Sequence, residues 1–226
     1  MITNPDAQRI LVFGDSLSWG YMPDSDHERW PANIRWPGRL QLLLGDGYEV
    51  IEEALNSRAI DNIDRRSGKE GRRALDYVEG CLDSHDPLDY AIVLLGSNEL
   101  KHEYNNTAEA VGQQMRGLLD TIMTRPSQFR DKKPEVILLA PPVVDETKEY
   151  CTQNDKYLGA TEKSRELGVV YAGIAEELGL RFLNLADIVV TGADGCHLDA
   201  ESHAKVADVI SGFFANTGVW LKESSR

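Results

Sequence analysis

The chain has 226 residues, 42% of them hydrophobic, and carries 24 Lys plus Arg against 37 Asp plus Glu, a formal net charge of −13. An acidic chain repels phosphate backbones and anionic lipids, so nucleic acid and membrane surfaces are not expected as partners. Because its apolar runs fall far short of the roughly 20 residues that a membrane helix needs, the sequence predicts a soluble globular protein.

Apolar segments typical of buried parallel strands recur along the chain and alternate with segments of helical periodicity. The predicted strands are Arg9 to Phe13, Tyr48 to Glu52, Tyr90 to Leu95, Glu135 to Ala140 and Arg181 to Leu185. The predicted helices are about Pro37 to Leu44, Arg72 to Leu82, Ala108 to Met123, Lys156 to Leu178 and Ala200 to Asn216. This alternation predicts an α/β protein, a three-layer α/β/α sandwich with a five-stranded parallel sheet.

We expect a single domain over residues 1–226, with its core at about residues 9–216, because no repeat, low-complexity tract or linker interrupts the pattern. Two long irregular segments, Gly20 to Trp36 and Asn56 to Gly71, are predicted to be lids or binding loops. Right-handed crossovers place the carboxyl ends of all the strands on one edge of the sheet, which is where ligands bind in such folds.

A serine follows the first predicted strand, and an aspartate and a histidine precede the last predicted helix. Ser16 lies in the segment FGDSLSWG, and Asp194 stands three residues before His197. A serine hydroxyl becomes a nucleophile only with a base that removes its proton, and that base needs an acceptor that fixes its tautomer. Each residue alone is equally typical of a turn or a helix cap. Their shared position at the sheet edge favours a hydrolytic site.

Two further segments at the same edge supply hydrogen-bond donors. Asn98 lies in GSNE after the third strand, and its amide is a candidate to stabilise the negative charge that develops on a carbonyl oxygen during acyl transfer. Ser57 lies in NSR after the second strand, where its backbone N–H could join the same oxyanion hole. Turns rich in Asn and Ser are common, so the second of these signals is weak by itself.

In these motifs the chain resembles the SGNH hydrolases of the G-D-S-L esterase superfamily, from Arg9 to about Asn216. Within that superfamily it is most similar to the bacterial arylesterase/acyltransferase branch. That closer likeness rests on Trp19, Arg35 to Gly38, Glu52 to Arg58, Pro87 to Asp89 and Pro141-Pro142.

The resemblance implies a flavodoxin-like SGNH fold and a serine esterase that needs neither a cofactor nor a metal. Ser16 would be the nucleophile, His197 the base and Asp194 its orienter. The N–H groups of Ser16 and Ser57 and the Asn98 amide would form the oxyanion hole. The substrate would be a small-molecule ester, and the resemblance also suggests a homo-oligomer whose neighbouring subunits narrow the site.

Asp15, Trp19 and Glu99 are the candidates for the substrate pocket. Ser57 stands where the family usually has glycine, and the added side chain favours short, acetyl-like acyl groups. Glu99 stands where the family usually has Asp, and since that residue supports a loop, we expect a shifted hydrogen bond and retained activity.

Two other functions remain open at this point. A carbohydrate O-acetyl esterase would use the same three residues and differ only in the alcohol part of its substrate. A non-catalytic, flavodoxin-like signalling or binding domain would instead use Asp15, Asp61 and Glu99 as an acidic, ion-binding edge.

The number and spacing of the cysteines bear on the compartment of the protein. The three cysteines are odd in number and widely spaced, which indicates neither disulfides nor zinc and favours the cytoplasm, as does the lack of a visible export signal.

Residues 58–73 hold six basic and three acidic residues, so this loop is +3 within a chain of −13. We interpret it as a subunit contact in preference to an element that steers an anionic acyl substrate.

Overall fold

The computed structural model describes residues 4–126 and 133–215, and a sheet of five parallel strands forms its centre. The strands are β1 (Gln8–Gly14), β2 (Tyr48–Ala54), β3 (Tyr90–Leu94), β4 (Glu135–Ala140) and β5 (Arg181–Asn184). Their order across the sheet is β2-β1-β3-β4-β5, with every neighbouring pair parallel. The predicted five-stranded parallel sheet is confirmed.

Helices cover both faces of the sheet and complete the three layers. They are α1 (Ser16–Trp19), α2 (Trp36–Leu44), α3 (Val78–His85), α4 (Ala108–Thr124), α5 (Glu149–Thr152), α6 (Ala160–Leu178) and α7 (Ala200–Ala215). Helices α2 and α7 share one apolar core with the sheet, and α3, α4 and α6 share the other. No helix in the described ranges combines the length and the hydrophobicity needed to span a bilayer.

Strand β1 shows why the apolar runs become central strands. Ile10 and Val12 face the core under α2 and α7, whereas Leu11 and Phe13 face the opposite core, and all four are at most 1% exposed. Side chains alternate across a strand, so a strand buried on both faces must be apolar at every position.

Two helices begin later than predicted. The segment before α3 forms a short 3-10 turn because the Ala74 N–H donates to the Ala59 carbonyl (2.8 Å), which ties it to the loop after β2. Helix α6 begins only after Gly159, whose φ of +77° places it in the left-handed region that ends regular helix. The predicted last residue of the final helix, Asn216, lies outside the described residues.

Candidate active site

A tight turn at the end of β1 presents Ser16 at the sheet edge. The Asp15 carboxylate caps the short helix α1 by accepting a hydrogen bond from the Leu17 N–H (2.9 Å). A Cβ on Gly14 would lie 2.3 Å from Ser18 Oγ and 3.2 Å from the Leu94 carbonyl oxygen, so the turn requires glycine there. Ser16 is 8% exposed, which leaves it buried but at the wall of a cavity.

A continuous hydrogen-bonded chain joins Ser16 to the loop before α7. Ser16 Oγ lies 3.0 Å from His197 Nε2, and His197 Nδ1 lies 2.6 Å from Asp194 Oδ2. His197 and Asp194 are 4% and 2% exposed, so little water competes for these contacts. Ser16 and His197 are 181 positions apart in the sequence, and the fold brings them into contact.

The loop that carries Asp194 and His197 is held by its own backbone. Asp194 Oδ1 accepts hydrogen bonds from the N–H groups of Cys196 and His197, both at 2.9 Å. Burial raises the pKa of Asp194, but the hydrogen bonds from His197 and Cys196 outweigh it and hold that pKa below its ordinary value. Gly195 makes the turn with φ +76°, and a Cβ there would lie 2.3 Å from the Asp145 carbonyl oxygen.

Aromatic rings enclose the His197 imidazole. Tyr21 stacks on it with ring centroids 4.3 Å apart and an interplanar angle of 29°, and Tyr150 meets it edge-on at 5.6 Å. Tyr21 comes from the long loop after α1 and Tyr150 from α5. The two rings limit how far the imidazole can rotate away from Ser16.

Asn98 is held near Ser16 by the same carboxylate that caps α1. Its Nδ2 donates to Asp15 Oδ2 (3.1 Å) and to the Arg58 carbonyl (3.0 Å), and Ser97 Oγ donates to Asp15 Oδ2 as well (2.7 Å). Burial raises the pKa of Asp15, and these bonds act against that rise. Asp15 thereby links the turn after β1 to the turn after β3.

Ser57 lines the cavity from the loop after β2. Its φ of +64° lies in the left-handed region, where glycine is free of strain, so the backbone fits the family's usual residue better than serine. Arg58 follows it, is 3% exposed, and donates from Nη1 to the Gly14 carbonyl (3.1 Å) and to the Glu53 carbonyl. Arg58 thereby links the carboxyl ends of β1 and β2.

The sequence placed Asp15, Glu99 and Trp19 in the substrate pocket. In the structure these three residues do not line the cavity beside Ser16. Asp15 and Glu99 are both 0% exposed. Glu99 Oε1 accepts a hydrogen bond from the Ile60 N–H, and burial raises the pKa of Glu99 to about 8. Its contact supports the loop after β2. Trp19 packs under the Arg29 guanidinium, which lies 4.9 Å from its ring centroid.

The cavity beside Ser16 measures about 240 Å³ and is walled largely by residues that the motifs did not indicate. Lys101, Tyr150, Lys156 and Tyr157 line it together with Asn98 and His197. Lys101 stands only three residues after Asn98, which is a signal that sequence reasoning could have used. Tyr150 comes from the short helix α5, and Lys156 and Tyr157 come from the segment before α6 that the sequence predicted to be helical, so no motif marked these three as site residues.

One group of side chains in the described residues has the spacing of a metal site, formed by Glu53, Cys81 and His85. These groups already satisfy one another, because His85 Nε2 lies 2.7 Å from Glu53 Oε1 and Tyr77 donates to Glu53 Oε2. Burial raises the pKa of the Cys81 thiol to about 12, which disfavours the thiolate that binds metals. We therefore assign these residues to packing between α3 and β2.

Comparisons with known proteins identify the family of the chain. The GDSL-like lipase/acylhydrolase family matches residues 12–205, and the chain belongs to that family. It is 29% identical to the aryl esterase of M. smegmatis, with a TM-score of 0.85 over 92% of this chain and 99% of that one. It is 31% identical to Est24, a carbohydrate acetylesterase from Sinorhizobium meliloti, with a TM-score of 0.84 over 92% and 98%.

A curated relative is the acetylxylan esterase of Xylanibacter ruminicola, 23% identical over 91% of this chain. The chain spans only 43% of that relative's length.

The chain therefore carries a hydrolase domain of the GDSL/SGNH type. The alternative of a non-catalytic binding domain is not retained. Its proposed ion-binding edge does not exist as a surface, because Asp15 and Glu99 are buried and Asp61 accepts a hydrogen bond from Arg73 (2.7 Å).

Proposed function

We propose that the protein hydrolyses short-chain, acetyl-like carboxylic esters through an acyl-enzyme on Ser16. The observation that carries the proposal is the buried chain of contacts from Ser16 through His197 to Asp194, with steps of 3.0 and 2.6 Å. These distances are those of a nucleophile, its general base and the group that orients the base.

In the first half-reaction His197 Nε2 takes the hydroxyl proton as Ser16 Oγ attacks the ester carbonyl carbon. The C–O bond to the alcohol then breaks, and the proton on His197 passes to the departing oxygen. In the second half-reaction His197 Nε2 removes a proton from water as the water oxygen attacks the acyl carbonyl carbon. The bond from that carbon to Ser16 Oγ then breaks, the proton on His197 passes to Ser16 Oγ, and the carboxylic acid leaves. Asp194 stays ionised and stabilises the imidazolium in both halves.

The oxyanion hole is assigned to the N–H groups of Ser16 and Ser57 and to the Asn98 amide. In the resting site Asn98 Nδ2 donates to Asp15 and to the Arg58 carbonyl, so both of its hydrogens are engaged and an oxyanion has to share one of these two bonds. A preorganised donor of this kind contributes about 3 kcal/mol to transition-state stabilisation.

Removal of the nucleophile is the direct test. Ser16→Ala is expected to abolish hydrolysis of 4-nitrophenyl acetate. Its thermal unfolding curve should match that of the wild-type protein. Ser211→Ala, on α7, is the matched control and should retain wild-type rates. A Ser16→Ala protein as active as the wild type would refute the assignment.

A second prediction concerns the acyl chain. Because the Ser57 side chain adds bulk beside the carbonyl, we expect kcat/KM to be higher for acetyl than for octanoyl esters of 4-nitrophenol. Each additional methylene, if it could be buried, would otherwise favour binding by about 0.8 kcal/mol. A rate that stays level or rises with chain length would contradict this prediction.

A carbohydrate O-acetyl esterase is the second candidate, favoured by the likeness to Est24 and to the acetylxylan esterase. Both functions use the same chemistry and differ in the alcohol that leaves. Acetate release from acetylated xylan, compared with release from aryl acetates at equal concentration, separates them. Acyl transfer to an alcohol in place of water is a further proposal, and formation of methyl acetate in aqueous methanol is its test.

The enzyme is further proposed to be one domain that works in the cytoplasm as a homo-oligomer. Support for a reducing compartment comes from three free, buried cysteines, Cys81, Cys151 and Cys196. Support for self-association comes from two adjacent apolar side chains exposed on α2, Leu42 at 67% and Leu43 at 46%. Light scattering should give a multiple of 25.2 kDa.

A further inference from the structure

The cavity beside Ser16 is basic although the protein is strongly acidic. Four of its lining residues are Arg66, Lys69, Lys101 and Lys156, and no lining residue in the described ranges is Asp or Glu. The chain holds 37 acidic residues against 24 basic ones, so the wall of the cavity reverses the charge of the molecule.

Two of these cations, Lys101 and Lys156, line the same cavity as Ser16 and His197 and form no ion pair with the described residues. Lys101 is 3% exposed. Among the described residues, no carboxylate oxygen lies within the ion-pair distance of 4.0 Å from the Lys101 or Lys156 ammonium nitrogen. The Lys156 ammonium instead lies 3.4 Å from the centroid of the Tyr150 ring, the same ring that meets the His197 imidazole. Burial lowers the pKa of Lys156 to about 8, and the neighbouring charges of Lys101 and Arg66 act in the same direction.

The other two cations come from the basic loop after β2. Arg66 is paired with Asp64, with its Nε 2.9 Å from Oδ1, and also reaches Ser57 Oγ at 3.3 Å. Lys69 forms no ion pair with the described residues. Its pKa is lowered by burial and by Arg72 and Arg66. The part of this loop that reaches the cavity therefore adds unbalanced positive charge beside Ser57.

We propose that the ester substrate carries an anionic group, a carboxylate or an equivalent oxyanion, which binds between Lys101, Lys156 and Lys69 next to Ser16. This inference rests on the proposed function, since it names the substrate class of the same site. Partly buried ammonium groups that repel one another favour a compensating anion. The Asp64 carboxylate attracts Lys101 and Lys69 but is already paired with Arg66, so the charge of the three ammonium groups is only partly balanced. The basic loop thus faces a ligand, where the sequence alone favoured a subunit contact.

The anion belongs either to the acyl part or to the alcohol part of the ester, and paired substrates distinguish the two. 4-Nitrophenyl hemisuccinate carries a carboxylate on the acyl side, and its methyl ester is the neutral counterpart. 4-Acetoxybenzoate carries one on the alcohol side, and its methyl ester is again the neutral counterpart. We expect kcat/KM for at least one anionic member to exceed that of its counterpart by ten-fold or more, and this ratio to fall as salt is added.

Charge removal from the cavity tests the residues. Lys101→Gln, Lys156→Gln and Lys69→Gln should each lower the anionic-to-neutral ratio, and the Lys101/Lys156 pair of substitutions should lower it at least ten-fold. Lys205→Gln, on α7 and paired with Glu201, removes the same charge outside the cavity and should leave the ratio unchanged. Lys69→Gln and the salt titration keep the test valid if the buried Lys101 position does not tolerate substitution.

A binding measurement separates this inference from the proposed function. Calorimetric titration of the Ser16→Ala protein compares the affinity for each anionic ester with that for its neutral counterpart, without turnover. Preferential binding of an anionic ester supports the inference, even if the wild-type protein turns over none of the esters. Ser16-dependent turnover without any preference for an anion, in rate or in affinity, would overturn the inference and leave the proposed esterase standing.

Discussion

At the scale of single residues, Glu99 is the least expected feature. It is a fully buried carboxyl whose Oε2 has no hydrogen-bond partner among the described residues, and burial raises its pKa to about 8. The sequence indicated a loop-supporting residue with a shifted hydrogen bond, and the bond to the Ile60 N–H is such a contact. Depth of burial is a tertiary property, so neither the GSNE motif nor the charge pattern reveals it.

The raised pKa of Glu99 makes stability depend on pH. Between the ordinary pKa of about 4.3 and the folded value of about 8, the folded state keeps a proton that the unfolded state has released. Stability is therefore full below that window and declines across it, by up to about 1.4 kcal/mol per pH unit. Glu99→Gln should flatten the fall in Tm from pH 5 to pH 8 in calorimetry, and Glu166→Gln, an exposed position, is the control. Equal slopes in all three proteins would contradict the prediction.

At the scale of elements, the position of a motif in the fold could be predicted wherever the motif directly follows a strand. Ser16, Ser57 and Asn98 follow β1, β2 and β3, and parallel strands bring their carboxyl ends to one edge. The start of α6 and the turn before α3 were not predictable, because a left-handed Gly159 and a bond to Ala59 decide them.

The loop before α7 gives a prediction at this scale. Gly195→Ala places a Cβ 2.3 Å from the backbone oxygen of Asp145 at a φ of +76°, so the loop that carries Asp194 and His197 must shift. Because a displacement of about 1 Å in a reacting group costs about 100-fold in rate, we expect kcat to fall at least ten-fold in a protein that still folds. Gly212→Ala, on α7 with open space around its Cβ, is the matched control. Wild-type kcat in Gly195→Ala would refute this account of the turn.

At the scale of the whole molecule, fold class and reaction class could be read from the sequence, whereas the charge of the cavity could not. The net charge of −13 describes the surface as an average. The basic wall arises because Lys101, Lys156 and the loop after β2 converge from three separate segments, and the periodicity of each segment does not show that they meet. The sequence shows the +3 loop but not that Lys101 and Lys156 join it around one cavity, which is a property of the folded chain.

The central claim, that Ser16 is a nucleophile activated by His197, is tested most directly by covalent labelling. A fluorophosphonate probe should add one adduct to the wild-type protein, and peptide mass spectrometry should place it on Ser16. Ser16→Ala should take up no label, and His197→Ala should label at least 100-fold more slowly, because its serine has lost its base. An adduct on another residue, or equal labelling of the wild-type and Ser16→Ala proteins, would contradict the claim.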